Sequence, residues 1–177
     1  MQPASIKGVI ELAGKPFKDS RGAFLNAFRA QEEGFMTSWG ERAIKQVNMS
    51  RTDIVGTIRG LHLQKEPYTE ARLVRCIKGK VWDVAVDLRC DSDSYCQWQA
   101  VELSQERSNS LLIPEGFAHG FQVLEPFSEL LYLHSGAWVP EAETGVRWDD
   151  QNVMITWPIP VTVLSKRDRE LPFLTNT

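Results

Sequence analysis

One of the three histidines in this chain, His62, stands three residues after an arginine, Arg59, in the stretch GTIRGLHLQ of residues 56–64. Ile58, Leu61 and Leu63 make the rest of that stretch apolar. Imidazole titrates near neutral pH and suits a general base. A guanidinium offers a planar fork of donors that fits a phosphate. The alternative for His62 is a half-buried, hydrogen-bonded core residue, and the pattern admits both. Period-two alternation puts Ile58, Gly60, His62 and Gln64 on one face of a strand, with Arg59, Leu61 and Leu63 on the other. Gly60 would admit a ligand or a second backbone at close range.

Other side chains invite chemistry less directly. His119 lies in PEGFAHGF, and Tyr132 and His134 lie in ELLYLHSG. The three histidines, even with Glu115 and Glu129 as helpers, lack the fixed ligand spacing of zinc, iron or copper sites. Arg21, Arg72 and Arg75 join Arg59 in strand-like surroundings, where solvated surface is the ordinary fate of each. Trp138 follows Tyr132 by six residues, so a regular strand would put both on one face. It could stack on a ring, or fill a core or an interface. Asp168, in SKRDRE, could orient a histidine, although charge runs of this kind usually form a solvated face.

These side chains need elements to carry them, and the pattern is mostly strand. In VWDVAVDLR (81–89), Val81, Asp83, Ala85 and Asp87 alternate with Trp82, Val84, Val86 and Leu88. LVRCIKGKVWDVAVDL reads as a hairpin turning at Lys78-Gly79-Lys80. SLLIPEGFAHGFQVL, ELLYLHSGAWV and VMITWPI read as further strands. Helix is expected only at RAQEEGFMTSWG (29–40) and at SKRDREL, where Ser165 is placed to cap. Short strands cut by nine prolines point to an all-β jelly roll with a few short helices, in one domain spanning 1–177.

Composition excludes several classes. A net charge of −3 and a pI near 5.7 argue against general nucleic-acid binding. Cys76, Cys90 and Cys96 are odd in number and form no CxxC pair, so free thiols are expected. The start MQPASIKGVIELAGKPF has no apolar core suited to a signal peptide. No stretch approaches the roughly 20 apolar residues of a membrane span. A cytoplasmic protein is expected, with no partner in membrane or nucleic acid.

Several blocks in order give a more specific signal. FKDSRGAF (17–24), QVNMS (46–50), GTIRGLHLQ, ARLVRCIKGKVWDVAVDLR (71–89), LLIPEGFAHGFQVL (111–124), LLY (130–132) and GVRWDD (145–150) together resemble the dTDP-4-dehydrorhamnose 3,5-epimerase family of the cupin superfamily. The resemblance runs from about Phe17 to Asp168. It implies a jelly-roll barrel, a homodimer, and catalysis with no metal or cofactor. The implied substrate is a nucleotide-linked 4-keto-6-deoxyhexose, foremost dTDP-4-dehydro-6-deoxy-D-glucose, converted to dTDP-4-dehydro-L-rhamnose. It also implies roles: His62 as base, Tyr132 as acid and Asp168 as partner to the base. Arg21 and Arg59 would contact the diphosphate, Gln46 and Asn48 the nucleotide, and His119 the sugar. Arg72 stands where the family has a lysine beside the ketone. Asn26 stands for a glutamate near the nucleotide, and Trp138 for a stacking tyrosine. Glu143 completes the substrate-binding set. A cupin that binds a nucleotide sugar without turning it over is the alternative.

Overall fold

The computed structural model describes residues 5–29, 35–36 and 39–175. Twelve strands form among them: β1 (Ile10–Leu12), β2 (Phe17–Asp19), β3 (Gly22–Phe24), β4 (Gln46–Thr52), β5 (Ile58–Gln64), β6 (Arg72–Lys78), β7 (Lys80–Asp87), β8 (Trp98–Ser104), β9 (Ser110–Ile113), β10 (Phe117–Val123), β11 (Ser128–His134) and β12 (Glu143–Gly145). All but β2 and β3 belong to two five-stranded antiparallel sheets, ordered β1-β9-β6-β11-β4 and β12-β5-β10-β7-β8. From β4 onward the chain crosses between sheets at nearly every connection, which is the jelly-roll topology. β2 and β3 form a separate hairpin.

Those crossings correct one expectation. β6 and β7 are not a hairpin: β6 pairs with β9 and β11, and β7 with β8 and β10. The reason is burial. β6 is buried on both faces over most of its length, and so is β7. Stacked in facing sheets, Val74 and Cys76 of β6 meet Val81 and Ala85 of β7 across the core. Gly79, at φ +74°, turns this corner, where an added Cβ would lie 2.5 Å from Ser128 Oγ.

The alternation read for residues 81–88 holds. Val81 and Ala85 join the inner cluster, while Trp82, Val84, Val86 and Leu88 pack in an outer one. VMITWPI is not a strand. Its Val153, Ile155 and Trp157 cover that outer cluster as extended chain. Pro158 and Pro160 remove donors that a ladder would need. On the far side of the molecule Phe35 and Trp39 seal the outer face of β6, β9 and β11. Phe35, Met36 and Trp39 are helical, as expected within 29–40, while residues 30–34, 37 and 38 of that segment lie outside the described residues. The second expected helix is a single turn, Lys166–Arg169, capped by Ser165 Oγ on Asp168 N–H at 3.0 Å. No helix among the described residues is long and apolar enough to cross a membrane.

The barrel interior changes character along its strands. In steps of two residues β6 runs from Cys76 through Val74 to Arg72, and β11 from Leu130 through Tyr132 to His134. One end is thus a packed apolar core, and the other opens into a polar cavity.

Candidate active site

The cavity has a volume of about 1000 Å³. It takes residues from both sheets and from the segment ending at Asp168. Both Arg59 and His62 line it, which strict alternation forbids. The cause is a bulge. On β10, His119 and Phe121 are two residues apart, yet their β5 partners, His62 and Arg59, are three apart. The extra residue resets the phase of β5. Gly60, at φ +127°, makes the reset feasible: an added Cβ would lie 2.6 Å from Gly120 Cα. The close neighbour that Gly60 admits is therefore backbone, the other possibility left open by its sequence.

His62 Nε2 lies 2.7 Å from Asp168 Oδ1. The helical turn delivers that carboxylate, and the Ser165 cap fixes its place. Gly60 N–H approaches the second oxygen, Oδ2, at 3.4 Å. Burial pushes the Asp168 carboxyl up, but His62, the Gly60 amide and Ser165 together hold it below the usual 3.8. With Nε2–H donated to Asp168, Nδ1 is the nitrogen left as acceptor, and Arg167 Nη2 stands 3.3 Å from it.

Tyr132 reaches in from β11, on the sheet opposite His62. Its hydroxyl is 3.0 Å from Ser50 Oγ. Burial, its largest influence, pushes the phenol well above its ordinary value, so it stays protonated at neutral pH. The His119 ring meets it edge-on, with centroids 6.1 Å apart. His119 Nε2 in turn sits 3.0 Å from both oxygens of Asp83, an acid with no exposed surface.

Cations ring this pair. Arg59 is held by Thr52 Oγ1 at 2.8 Å and by the Arg51 carbonyl at 3.2 Å. Arg72 donates from Nη1 to the His62 carbonyl at 2.9 Å. Gln46 bonds Asn48 through its Nε2, and its Oε1 accepts from Trp138 N–H. Trp138 lies beyond the end of β11, yet lines the same cavity as Tyr132. Its Nε1–H donates to Glu143 Oε2 at 3.1 Å.

The structure thus gathers His62, Tyr132, Asp168, Arg72, Gln46, Asn48, Arg59, His119, Trp138 and Glu143 around one cavity. It does not bring Arg21 or Asn26 there. Arg21 is exposed at the tip of the β2–β3 hairpin, paired with Asp19. Asn26 lines a second cavity of about 310 Å³ beside Arg75, on the outer face of the first sheet. Among the described residues no group of three or more His, Cys, Asp or Glu converges as a metal ion requires.

Sequence reasoning missed three contributors. Arg167 places Nη2 at 2.9 Å from His62 Nε2 and 3.3 Å from Nδ1, and Nη1 at 2.8 Å from Glu143. It was hidden in the SKRDRE charge run, although it adjoins Asp168. Glu70, in the loop before β6, lines the cavity with no motif to mark it. Asp83 had a signal, because alternation set it on the inner face with Val81 and Ala85.

Known proteins carry the same arrangement of strands. The family model described as dTDP-4-dehydrorhamnose 3,5-epimerase matches residues 3–176. The chain belongs to this family. The dTDP-4-dehydrorhamnose 3,5-epimerase of Sinorhizobium fredii is 40% identical, over 98% of this chain and 88% of its own length. A crystal structure of the Bacillus anthracis enzyme with TDP and PPi bound superposes with a TM-score of 0.89 at 34% identity, covering 98% of this chain and 99% of that one. The Legionella pneumophila dTDP-6-deoxy-D-glucose-3,5-epimerase, solved with dTDP-4-keto-L-rhamnose, gives 0.88 at 34%, covering 97% and 90%. Epimerases are isomerases, so the family places this chain among isomerase-class enzymes with a cupin-like barrel.

Proposed function

We infer that the protein epimerises a dTDP-linked 4-keto-6-deoxyhexose at C3 and C5, taking dTDP-4-dehydro-6-deoxy-D-glucose to dTDP-4-dehydro-L-rhamnose. The observation that carries this reading is His62 on one sheet, paired with Asp168 of the helical turn, and Tyr132 on the other sheet. A C4 ketone acidifies the hydrogens on its two neighbouring carbons. Inversion then requires a base on one side of the ring and an acid on the other. His62 takes the proton at Nδ1, and ionised Asp168 stabilises the imidazolium that forms. Electrons move to the ketone oxygen, giving an enolate, and Arg72 offsets its charge. Tyr132 returns a proton to the opposite face. Arg59 holds the diphosphate as a fixed fork, Gln46 and Asn48 the nucleoside side, and Trp138 a stacking face. His119 and Glu143 position the sugar end.

The reading extends to assembly. A homodimer fits the exposed apolar residues of the hairpin, where Phe17 and Phe24 are each 71% exposed, and those of the edge strand β4, Val47 and Met49. Arg21 and Asn26 are read as substrate contacts that a second copy of the chain would complete. The whole chain, 1–177, acts as one unit, in the cytoplasm.

The deciding experiment is solvent exchange. Incubated in D₂O with dTDP-4-keto-6-deoxyglucose, the protein should place deuterium at C3 and C5, followed by NMR. Label at one carbon reduces it to a mono-epimerase. Absence of label with dTDP-, CDP- and GDP-linked keto sugars leaves a binding protein. Tyr132→Phe should slow formation of the inverted product by about a hundredfold while exchange continues. An unchanged product rate would remove it as the acid.

A further inference from the structure

Arg72 is a buried cation, 8% exposed, and a guanidinium on a flexible stem has to be held to serve as a fixed charge. Glu70 holds it. Arg72 Nε and Nη2 each lie 3.0 Å from Glu70 Oε1, and Nη1 donates to the His62 carbonyl at 2.9 Å. A guanidinium has five N–H groups. The Nε–H and one Nη1–H are engaged by hydrogen bonds, and N–H groups on both terminal nitrogens remain for the cavity that Arg72 lines.

Glu70 is fixed in turn. Its Oε2 is 3.1 Å from His134 Nδ1, and His134 is the cross-strand partner of Arg72. Burial pushes the Glu70 carboxyl up, but His134 and Arg72 outweigh it and keep it below its ordinary range. On the backbone, Ala71 N–H donates to Ser135 Oγ at 2.8 Å, and Ser135 N–H to the Ala71 carbonyl at 3.0 Å. The chain also leaves room for the side chain: at Gly136 a methyl group would lie 3.0 Å from Glu70 Cβ.

We propose that Glu70 is a positioning residue, which aims the Arg72 guanidinium at the substrate's ketone side and acts on the reaction only through Arg72. This rests on the epimerase reading for its kinetic consequence, though not for the contact itself. It predicts a division between kcat and KM. Glu70→Ala should lower kcat for deuterium exchange by about tenfold to a hundredfold, the scale of a misplaced group, with KM nearly unchanged. Glu70→Gln keeps an acceptor oxygen for Nε–H and should recover most of the loss. In an Arg72→Ala background, Glu70→Ala should cost nothing further, because the group it aims is gone. A purely structural role would instead multiply the two losses and would move the melting temperature without this rescue.

A second measurement needs no turnover. The Arg72 Nε–H signal in a ¹⁵N-edited spectrum should exchange slowly in the native protein and in Glu70→Gln, and rapidly in Glu70→Ala. The proposal fails if that signal is the same in all three, if Glu70→Gln is as impaired as Glu70→Ala, or if the losses multiply. A native protein inactive on every keto sugar would sink the epimerase reading, and the Arg72 signal would still decide this one.

Discussion

His62 and His119 are direct cross-strand neighbours on β5 and β10, and each is paired with an aspartate. Asp168 comes from a helical turn late in the chain and takes one nitrogen of His62 with one oxygen. Asp83 comes from the adjacent strand β7 and meets His119 with both oxygens at 3.0 Å. The first pair is the more open, with the His62 side chain 21% exposed, while in the second only His119 reaches the cavity, at 7%, and Asp83 is fully buried. Burial raises both carboxyls. In Asp168 the His62 contact, an amide and a cap outweigh it, whereas in Asp83 burial wins over His119 and the carboxyl lies above its ordinary value. Equal residue types thus give unequal chemistry. Asp168 remains a charge that can stabilise a cation formed on its histidine. Asp83 is better suited to fix a ring than to carry a charge.

The comparison can be broken most directly at the histidines. His62→Ala should cost about a thousandfold or more in exchange at C3 and C5, with the fold intact by circular dichroism. Near-native exchange would end its role as base. Next, Asp168→Asn should lower kcat by about a hundredfold, because the amide stabilises no imidazolium. Asp83→Asn sharpens the contrast from the other side. It should cost at most about tenfold in kcat, because an amide oxygen can still accept from the His119 ring. A loss as large as that of Asp168→Asn would make the two pairs equivalent. The smallest effect is on acid stability. The folded pKa of Asp168 lies below 3.8, so its contribution is complete above that pH and is lost as pH falls through the depressed value. Urea midpoints between pH 5 and pH 2 should fall less steeply for Asp168→Asn than for the native protein.

Much of this was legible in the sequence, for uneven reasons. Alternation in VWDVAVDL separated the inner from the outer face of β7, because that strand is regular and clusters differ on its two sides. Ser165 was readable as a cap because capping is local. The pairing of β6 with β7 was misread because adjacency in sequence does not say which sheet a strand joins. That choice depends on burial of both faces, which only the assembled barrel provides. In the site, His62 stood out by its setting beside Arg59 in an apolar strand, whereas the roles of Tyr132 and Asp168 came only with the family resemblance, because the 106 positions between His62 and Asp168 carry no local signal. Arg167 and Glu70 escaped because the contacts that mark them, His62 and Glu143 for the first and His134 for the second, are brought close only by folding.

The bulge in β5 has a consequence for how the gene can vary. Arg59 and His62 are an odd number of positions apart, and in a regular strand odd separations look opposite ways. One inserted residue changes that parity. Deleting or inserting a single residue between them while the bulge stayed in place would therefore not loosen one contact. It would turn one of the two groups out of the cavity while leaving the composition of the strand almost untouched. Substitutions here are filtered by chemistry, but changes in length are filtered by arithmetic. The glycines at 60 and 120, which touch no substrate in the proposed reaction, keep the count.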